Sequence, residues 1–360
     1  MHILLVGGTF DSSGGKPSSI INDMHAVIEK GRHYCKFCNG GTFDGLAELS
    51  NNCTSYDVIL WFPNIDNSYP KIGTPKQTNP FATLVTSKRN VDGKYSFADL
   101  VNRALGSKSN FMLEFTRPES MGGRYFGRLF DSLGCVWKDH TPDFHELTEA
   151  LLKRVAFIRS LHRMGSIKAG KKIPVPIETN FFKLVKGLGN RFHDLIHPAE
   201  GVKRFLGNAS FRCARGFPAF RANDSIFVSA RDVDKRHIGR ESFVEVAHLA
   251  GKVIYTGNKK PSVDAPIMLS LFRNFPNINY MIHSHTYIVG ARFTSAALPC
   301  GTLEEVQHIL AVACHNVYFP MFAHFNVNLL GHGSIAMAAN PSLLGDVEYY
   351  ARPTPERVEW

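Results

Sequence analysis

Residues 257–286, GNKKPSVDAPIMLSLFRNFPNINYMIHSHT, constrain the fold of this chain more than any other stretch. A Lys-Pro-Ser turn delivers Asp264, and a run able to form a helix follows from Pro266 to Phe275. An apolar strand, Ile278 to Ile282, then ends in His283-Ser284-His285. Side chains i and i+2 of a strand share a face, so His283 and His285 project side by side as a bidentate grip on a metal ion. Farther on, FNVNLLGHGSIAMAAN carries His332 at the end of a second apolar strand, just before Gly333. Three imidazoles with an open fourth position form the ligand set of a catalytic zinc site, not a structural one.

A chain of 360 residues has room for two domains. With 44% hydrophobic and 20% charged residues it is globular in composition. No apolar run approaches the roughly 18 residues of a membrane span. The N-terminal MHILLVGGTFD is too short and lacks the basic flank of a signal peptide, so it reads as a first strand. Seven cysteines without a framework spacing favour a reducing cytoplasm. The formal charge of +10 fits positive potential that gathers a small anion; the basic residues are dispersed with no arginine-rich tail, so nucleic acid is not the expected partner.

The chain is expected to divide into an α/β domain at 1–165, a linker at 166–177 and a second domain at 178–360. Leu147, Leu151, Val155 and Ile158 recur at helical spacing, with Asp143 as N-cap. SIKAGKKIPVPIE then interrupts with glycine and two prolines, and FFKLVKGLGNRFHDLIH opens the second domain as an amphipathic helix. In the first domain, strands at HILLVGG, YDVILWFPN, FATLVTSKR and SNFMLEFTR alternate with helical stretches, which argues for a mainly parallel sheet. Ligands of such sheets bind at the carboxyl ends of strands. Ser13, Gly14, Gly15 and Lys16 therefore form a possible anion loop, although the segment is neither GxGxxG nor a P-loop. The alternative is a simple tight turn. His33, Cys35, Cys38 and Cys53 offer a metal motif without the second cysteine pair that would define one, and read as unligated thiols.

From about 178 to 340 the chain resembles the class II aldolase/adducin family. The resemblance is carried by GNASFR (207–212), IFVSARDV (226–233), FVEV (243–246), KKPSVDAP (259–266), IHSHT (282–286), LPCGTLEE (298–305) and LGHG (330–333), in the family's order. It implies an α/β/α domain with a central, mostly antiparallel sheet. It also implies a lyase or epimerase that works on a phosphorylated or nucleotide-derived sugar through an enediolate. His283, His285 and His332 would hold Zn2+ or another divalent ion such as Mn2+, and Asp264 would be the general acid/base. By the same resemblance, aspartate at that position favours an epimerase-like or divergent reaction over plain aldol cleavage. Gly207, Asn208, Ser229, Ala230 and Ser262 match the family's phosphate cradle, with Val263 replacing a serine. Relatives are commonly tetramers, so a homo-oligomer is expected. The C-terminal stretch after His332 is short for the family, with Tyr349, Tyr350 and Glu356 as the obvious groups to complete a site. Cys300 reads as a packing residue, since the sequence places no base beside it. His308, His315 and His324 read as helix or loop residues. Two other functions stay open: a bifunctional enzyme whose N-terminal domain performs a nucleotide, phosphoryl or glycosyl transfer, and a non-catalytic adducin-like scaffold.

Overall fold

Ile3, Leu4, Leu5 and Val6 are all fully buried, the mark of a strand covered on both faces. They lie in β1 (His2–Asp11) of a computed structural model that describes residues 1–53, 55–65, 72–75, 82–91, 93–118, 120, 122–171, 174–197, 207–212 and 226–358. The chain forms two units, residues 1–159 with 354–359, and 160–353. Among the described residues no helix is long and apolar enough to cross a membrane.

The first unit continues with α1 (Ser19–Lys30), β2 (Tyr34–Thr42), α2 (Phe43–Asn51), β3 (Val58–Trp61), β4 (Asn64–Ile65), β5 (Thr83–Arg89), α3 (Phe97–Ser107), β6 (Phe111–Thr116), β7 (Phe126–Asp131), β8 (Cys135–Thr141) and α4 (Phe144–Ser160). Ile21, Met24, Val27 and Ile28 give α1 one buried stripe at helical spacing. Strands β2, β1, β3, β5 and β6 lie in that order and pair in parallel, with β4 also beside β1. This is the doubly wound order, whose direction reverses at β1. β7 and β8 extend the sheet in antiparallel fashion, an extension that the sequence reading did not contain. The parallel α/β expectation holds for the rest. RHYCKFCNGG, read for its cysteines, is largely the edge strand β2.

The second unit holds β9 (Ser166–Gly170), α5 (Thr179–Ile196), β10 (Asn208–Phe211), β11 (Ile226–Ser229), β12 (Phe243–Leu249), β13 (Lys252–Thr256), α6 (Ala265–Asn274), β14 (Tyr280–Ser284), β15 (Tyr287–Ile288), α7 (Glu304–Ala313), β16 (His324–Leu329), β17 (Gly333–Ala338), α8 (Ser342–Gly345) and β18 (Tyr349–Tyr350). Its eight-stranded sheet runs β16-β17-β14-β10-β11-β12-β13-β9, antiparallel throughout except for β13 with β9. The stretch read as a linker thus contains a strand: Ser166–Gly170 adds to the edge offered by β13, although all five of its residues are exposed. Residues 172 and 173 of that stretch lie outside the described residues. The last strand, β19 (Glu356–Arg357), pairs with β8 in the first unit's sheet. One core packs α6 and α7 on one face of the eight-stranded sheet, and another packs α5 and α8 on the opposite face.

Glu114 is buried where β6 meets β7, directly opposite Arg128 in the register. Arg128 Nε donates to its Oε2 at 2.9 Å and Asn90 Nδ2 to its Oε1 at 2.7 Å. Burial alone would raise the carboxyl's pKa. Bonds to His140 and Asn90, with the Arg128 charge, outweigh it and hold the pKa below its ordinary 4.5. A carboxyl depressed in the folded state stabilises above its unfolded value, and that contribution is lost as pH falls through the folded value. Glu114→Gln should therefore destabilise the protein by about 3 kcal/mol at pH 7 by leaving Arg128 without its counter-charge. The difference from wild type should close as urea midpoints are followed down to about pH 3. A difference that stays constant with pH would refute the ion-pair account.

Candidate metal centre

Strand alternation sets the face on which the histidines emerge. In β14, Met281 joins the core under α6 and α7 while Ile282 joins the core under α5. His283 therefore turns back toward α6 and α7, and His285 follows it beyond the strand end. His332 comes from the turn between β16 and β17, and β17 pairs with β14 from Tyr280↔Ala338 to Ser284↔Ser334. The three rings converge, with centroids 5.1 Å apart for His283 and His285, 4.7 Å for His283 and His332, and 5.1 Å for His285 and His332. One nitrogen of each lies within 4.8 Å of the others.

Their second nitrogens are partly committed. His283 Nδ1 donates to the Ser334 carbonyl at 2.9 Å, and a carbonyl can only accept, so its Nε2 lone pair is left for the site. His332 Nδ1 faces Glu305 Oε1 at 2.9 Å, the carboxylate–histidine pairing that orients a metal ligand. His283 Nε2 and His285 Nδ1 are buried without a hydrogen-bond partner. Burial lowers His283 to about 4 and His285 well below its ordinary 6.5, which keeps both neutral and able to ligate near neutral pH. Burial also opposes a charge on His332, yet Cys300 and Glu305 beside its two nitrogens raise it well above 6.5. Burial raises Glu305 as well. The neutral His283 and His285, each with a buried unpartnered nitrogen and converging on His332, fit a divalent cation.

Asp264 stands at the start of α6, where Pro266 pre-sets the first turn. Its carboxylate makes no capping bond. Instead Oδ2 accepts from Asn208 Nδ2 at 3.2 Å and from Ser262 Oγ at 3.3 Å, and lies 3.8 Å from His283 Nε2. Oδ1 is buried without a hydrogen-bond partner. The structure thus brings Asn208, Ser262, Asp264 and the histidines together on one face.

The remaining cradle residues fall elsewhere or are already bonded. Ser229 follows Val228, a residue of the α6/α7 core, so alternation points it to the opposite face, where its buried hydroxyl accepts from Ala209 N at 3.2 Å. The Ala230 amide donates to Ser242 O and the Ser262 amide to Ser229 O. Gly207 has φ +80, and a Cβ there would meet His283 O at 2.4 Å, so it serves as the close approach of β10 to the histidine strand. In the first unit, the Ser13 and Gly15 amides of the expected anion loop both donate to Asp11 Oδ1, at 2.7 and 2.9 Å. Those bonds hold the Asp11 pKa below its ordinary value. Lys16 pairs with Thr9 through the backbone in both directions, and Gly14 completes the turn at φ +118. On β2 the Cys35 and Cys38 side chains, three residues apart on a strand, face opposite ways, and no grouping of these thiols with His33 or Cys53 forms among the described residues. Glu356 lies in the first unit's sheet, Tyr349 is buried, and Tyr350 pairs with Tyr287 in a two-stranded sheet.

The sequence reading missed Glu305, Cys300 and Lys235. Cys300 Sγ lies 3.0 Å from His332 Nε2, which corrects its reading as a packing residue: chain folding supplies the base that local sequence lacks. Glu305 carried a signal in LPCGTLEE, as an acidic residue opening a helix, but nothing local tied it to His332. Lys235 interacts electrostatically with Asp264, and burial pulls its pKa to about 8.

The sheet and the three-histidine face define a class of α/β fold with a candidate metal site. Residues 193–340 match the model of the Class II Aldolase and Adducin N-terminal domain, so the resemblance carried by the motifs is borne out over that segment. Among solved structures, an L-fuculose 1-phosphate aldolase is 17% identical with a TM-score of 0.32, the match covering 46% of this chain and 78% of that one. The L-fuculose-1-phosphate aldolase of Thermus thermophilus is 15% identical with a TM-score of 0.27 over 46% and 83% of the two chains. An aldolase II superfamily protein from Pseudomonas syringae is 11% identical with a TM-score of 0.30 over 47% and 72%. No curated protein matches the chain.

Gly333 tests the geometry. Its φ is +151, and a Cβ would sit 2.0 Å from Ser284 O and 2.8 Å from His285 Cα, both backbone atoms. Gly333→Ala must push β17 off the histidine strand. It should destabilise the protein by about 2 kcal/mol or more and weaken metal binding, as read by thermal denaturation and by zinc titration. Unchanged zinc affinity would show that the β14–β17 approach does not set the site.

Proposed function

We propose that the C-terminal unit is a divalent-metal-dependent lyase or epimerase acting on a phosphorylated or nucleotide-derived sugar, with Asp264 as its general acid/base. His283, His285 and His332 would hold the ion, zinc or another divalent cation such as manganese. Once bound, that ion supplies Lewis-acid stabilisation of negative charge beside a carbonyl. Asn208 and Ser262 fix the Asp264 carboxylate through Oδ2 and leave Oδ1 to take or return a proton on the substrate. Burial of Asp264, at 4% exposure, excludes water from that transfer. The Ala230 and Ser262 amides of the expected cradle are already bonded within the protein, and Lys235 lies within electrostatic reach of Asp264.

The observation that carries this reading is the convergence of three buried imidazoles and one buried carboxylate, with His283 Nε2, His285 Nδ1 and Asp264 Oδ1 all lacking a hydrogen bond. Each such orphan costs about 1–3 kcal/mol, a burden that a scaffold has no reason to carry and a ligand would relieve. The first unit's loop, with two amides given to Asp11, supports no comparable reading of a second activity. The free thiols Cys35, Cys38, Cys53 and Cys135 accord with a reducing compartment such as the cytoplasm. A homo-oligomer, tetrameric by resemblance, belongs to the same proposal.

Elemental analysis should find about one zinc or other divalent ion per chain, lost in the His283→Ala/His285→Ala double variant. Asp264→Asn should keep the ion while lowering kcat on a responsive phosphorylated ketose or aldose by about 100- to 10,000-fold. Wild-type protein that takes up no divalent ion even after reconstitution, yet stays folded and oligomeric, would overturn the enzyme reading in favour of a scaffold.

A further inference from the structure

Resting on that reading, we propose that the substrate meets Asn208 and Asp264 with hydroxyl groups and not with a phosphate, so that the end docked beside the histidines is an unphosphorylated polyol. Asn208 stands directly opposite His283 in the β10–β14 register and shares its face of the sheet. Its amide carries two donor protons and one acceptor oxygen. Nδ2 gives one proton to Asp264 Oδ2 at 3.2 Å and the other to Ser262 Oγ at 3.3 Å. The Ser262 hydroxyl gives its only proton to Asp264 Oδ2 at 3.3 Å and accepts from the Asp264 amide, also at 3.3 Å. The side-chain donors that the cradle would turn to a phosphate are therefore spent on the Asp264 carboxylate.

What this network leaves over is the opposite kind of atom. Asn208 Oδ1 and Asp264 Oδ1 are both buried without a hydrogen-bond partner, in residues only 1% and 4% exposed. Flipping the amide would not make a donor available, because an Asn208 oxygen turned to Asp264 would set acceptor against acceptor. Covalent geometry and the 3.2 Å bond between the two side chains keep the untied oxygens no more than about 8 Å apart, within reach of neighbouring hydroxyls on one carbon chain. A phosphate dianion offers such a pair only acceptor oxygens and negative charge, whereas a hydroxyl offers each oxygen a proton. Any phosphate that the substrate carries lies farther along the molecule.

The test is a ligand-observed NMR titration of the full chain loaded with zinc. The probes are dihydroxyacetone, hydroxyacetone (which lacks one hydroxyl) and dihydroxyacetone phosphate (in which that hydroxyl is esterified). Dihydroxyacetone should bind about tenfold more tightly than either of the others, the factor that one hydrogen bond to a buried acceptor supplies. Asn208→Ala should weaken its binding by about the same factor. Dihydroxyacetone phosphate binding about 100-fold more tightly than dihydroxyacetone, as charge-assisted bonds to a phosphate would give, would overturn the inference and restore the cradle. Equal binding of dihydroxyacetone and hydroxyacetone would also overturn it, and so would full affinity in Asn208→Ala. Should Asn208→Ala not fold, the three-probe comparison in wild type decides alone. Binding of no probe by protein that holds zinc would overturn this inference and leave the metal centre standing. Failure to take up zinc or any other divalent ion would overturn both.

Discussion

The antiparallel pairing of β14 with β17 is the contact on which the candidate site depends. It supplies the Ser334 carbonyl that takes the Nδ1 proton of His283, and it carries His332 in from the neighbouring turn. The pairing can close only because position 333 has no side chain, since any Cβ there would overlap the backbone of Ser284 and His285. A second close approach, at Gly207, brings β10 against the same strand from the other side and sets Asn208 opposite His283. Backbone pressed this tightly on both flanks leaves the imidazoles few alternatives, and a ligand set held on strands is stiffer than one held on loops.

Burial then does the electrostatic work. Removing His283 and His285 from water drives them toward the neutral form that a cation requires. His332 is treated differently: Glu305 below and Cys300 beside it draw positive charge onto the ring, so without a cation the three histidines are not equivalent. Asp264 completes the asymmetry, with one oxygen tied down by Asn208 and Ser262 and the other untied.

The first unit is organised by a different constraint. Its doubly wound order gives β1 the central position where such folds place a ligand, yet the loop that follows satisfies its own amides with Asp11. An internal carboxylate at that point does for the turn what an external phosphate does in nucleotide-binding doubly wound folds. The local glycines and serines look alike in both cases, which is why the anion loop was legible as a pattern but not as an outcome.

The sequence by itself determined the alternation that sets His283 and His285 on one face, the helix that begins after Asp264, and the parallel character of most of the first sheet. These follow from periods of two and 3.6 residues and from proline and glycine punctuation, all local properties of the chain. Only the tertiary structure decided which partners those residues meet. The 3.0 Å contact of Cys300 with His332, the Glu305 brace, the turning of Ser229 to the far face and the strand within the presumed linker all join segments distant in sequence. No local pattern encodes such meetings, because they depend on strand order and register across the whole sheet, and a shift of one residue in that register would exchange one face for the other.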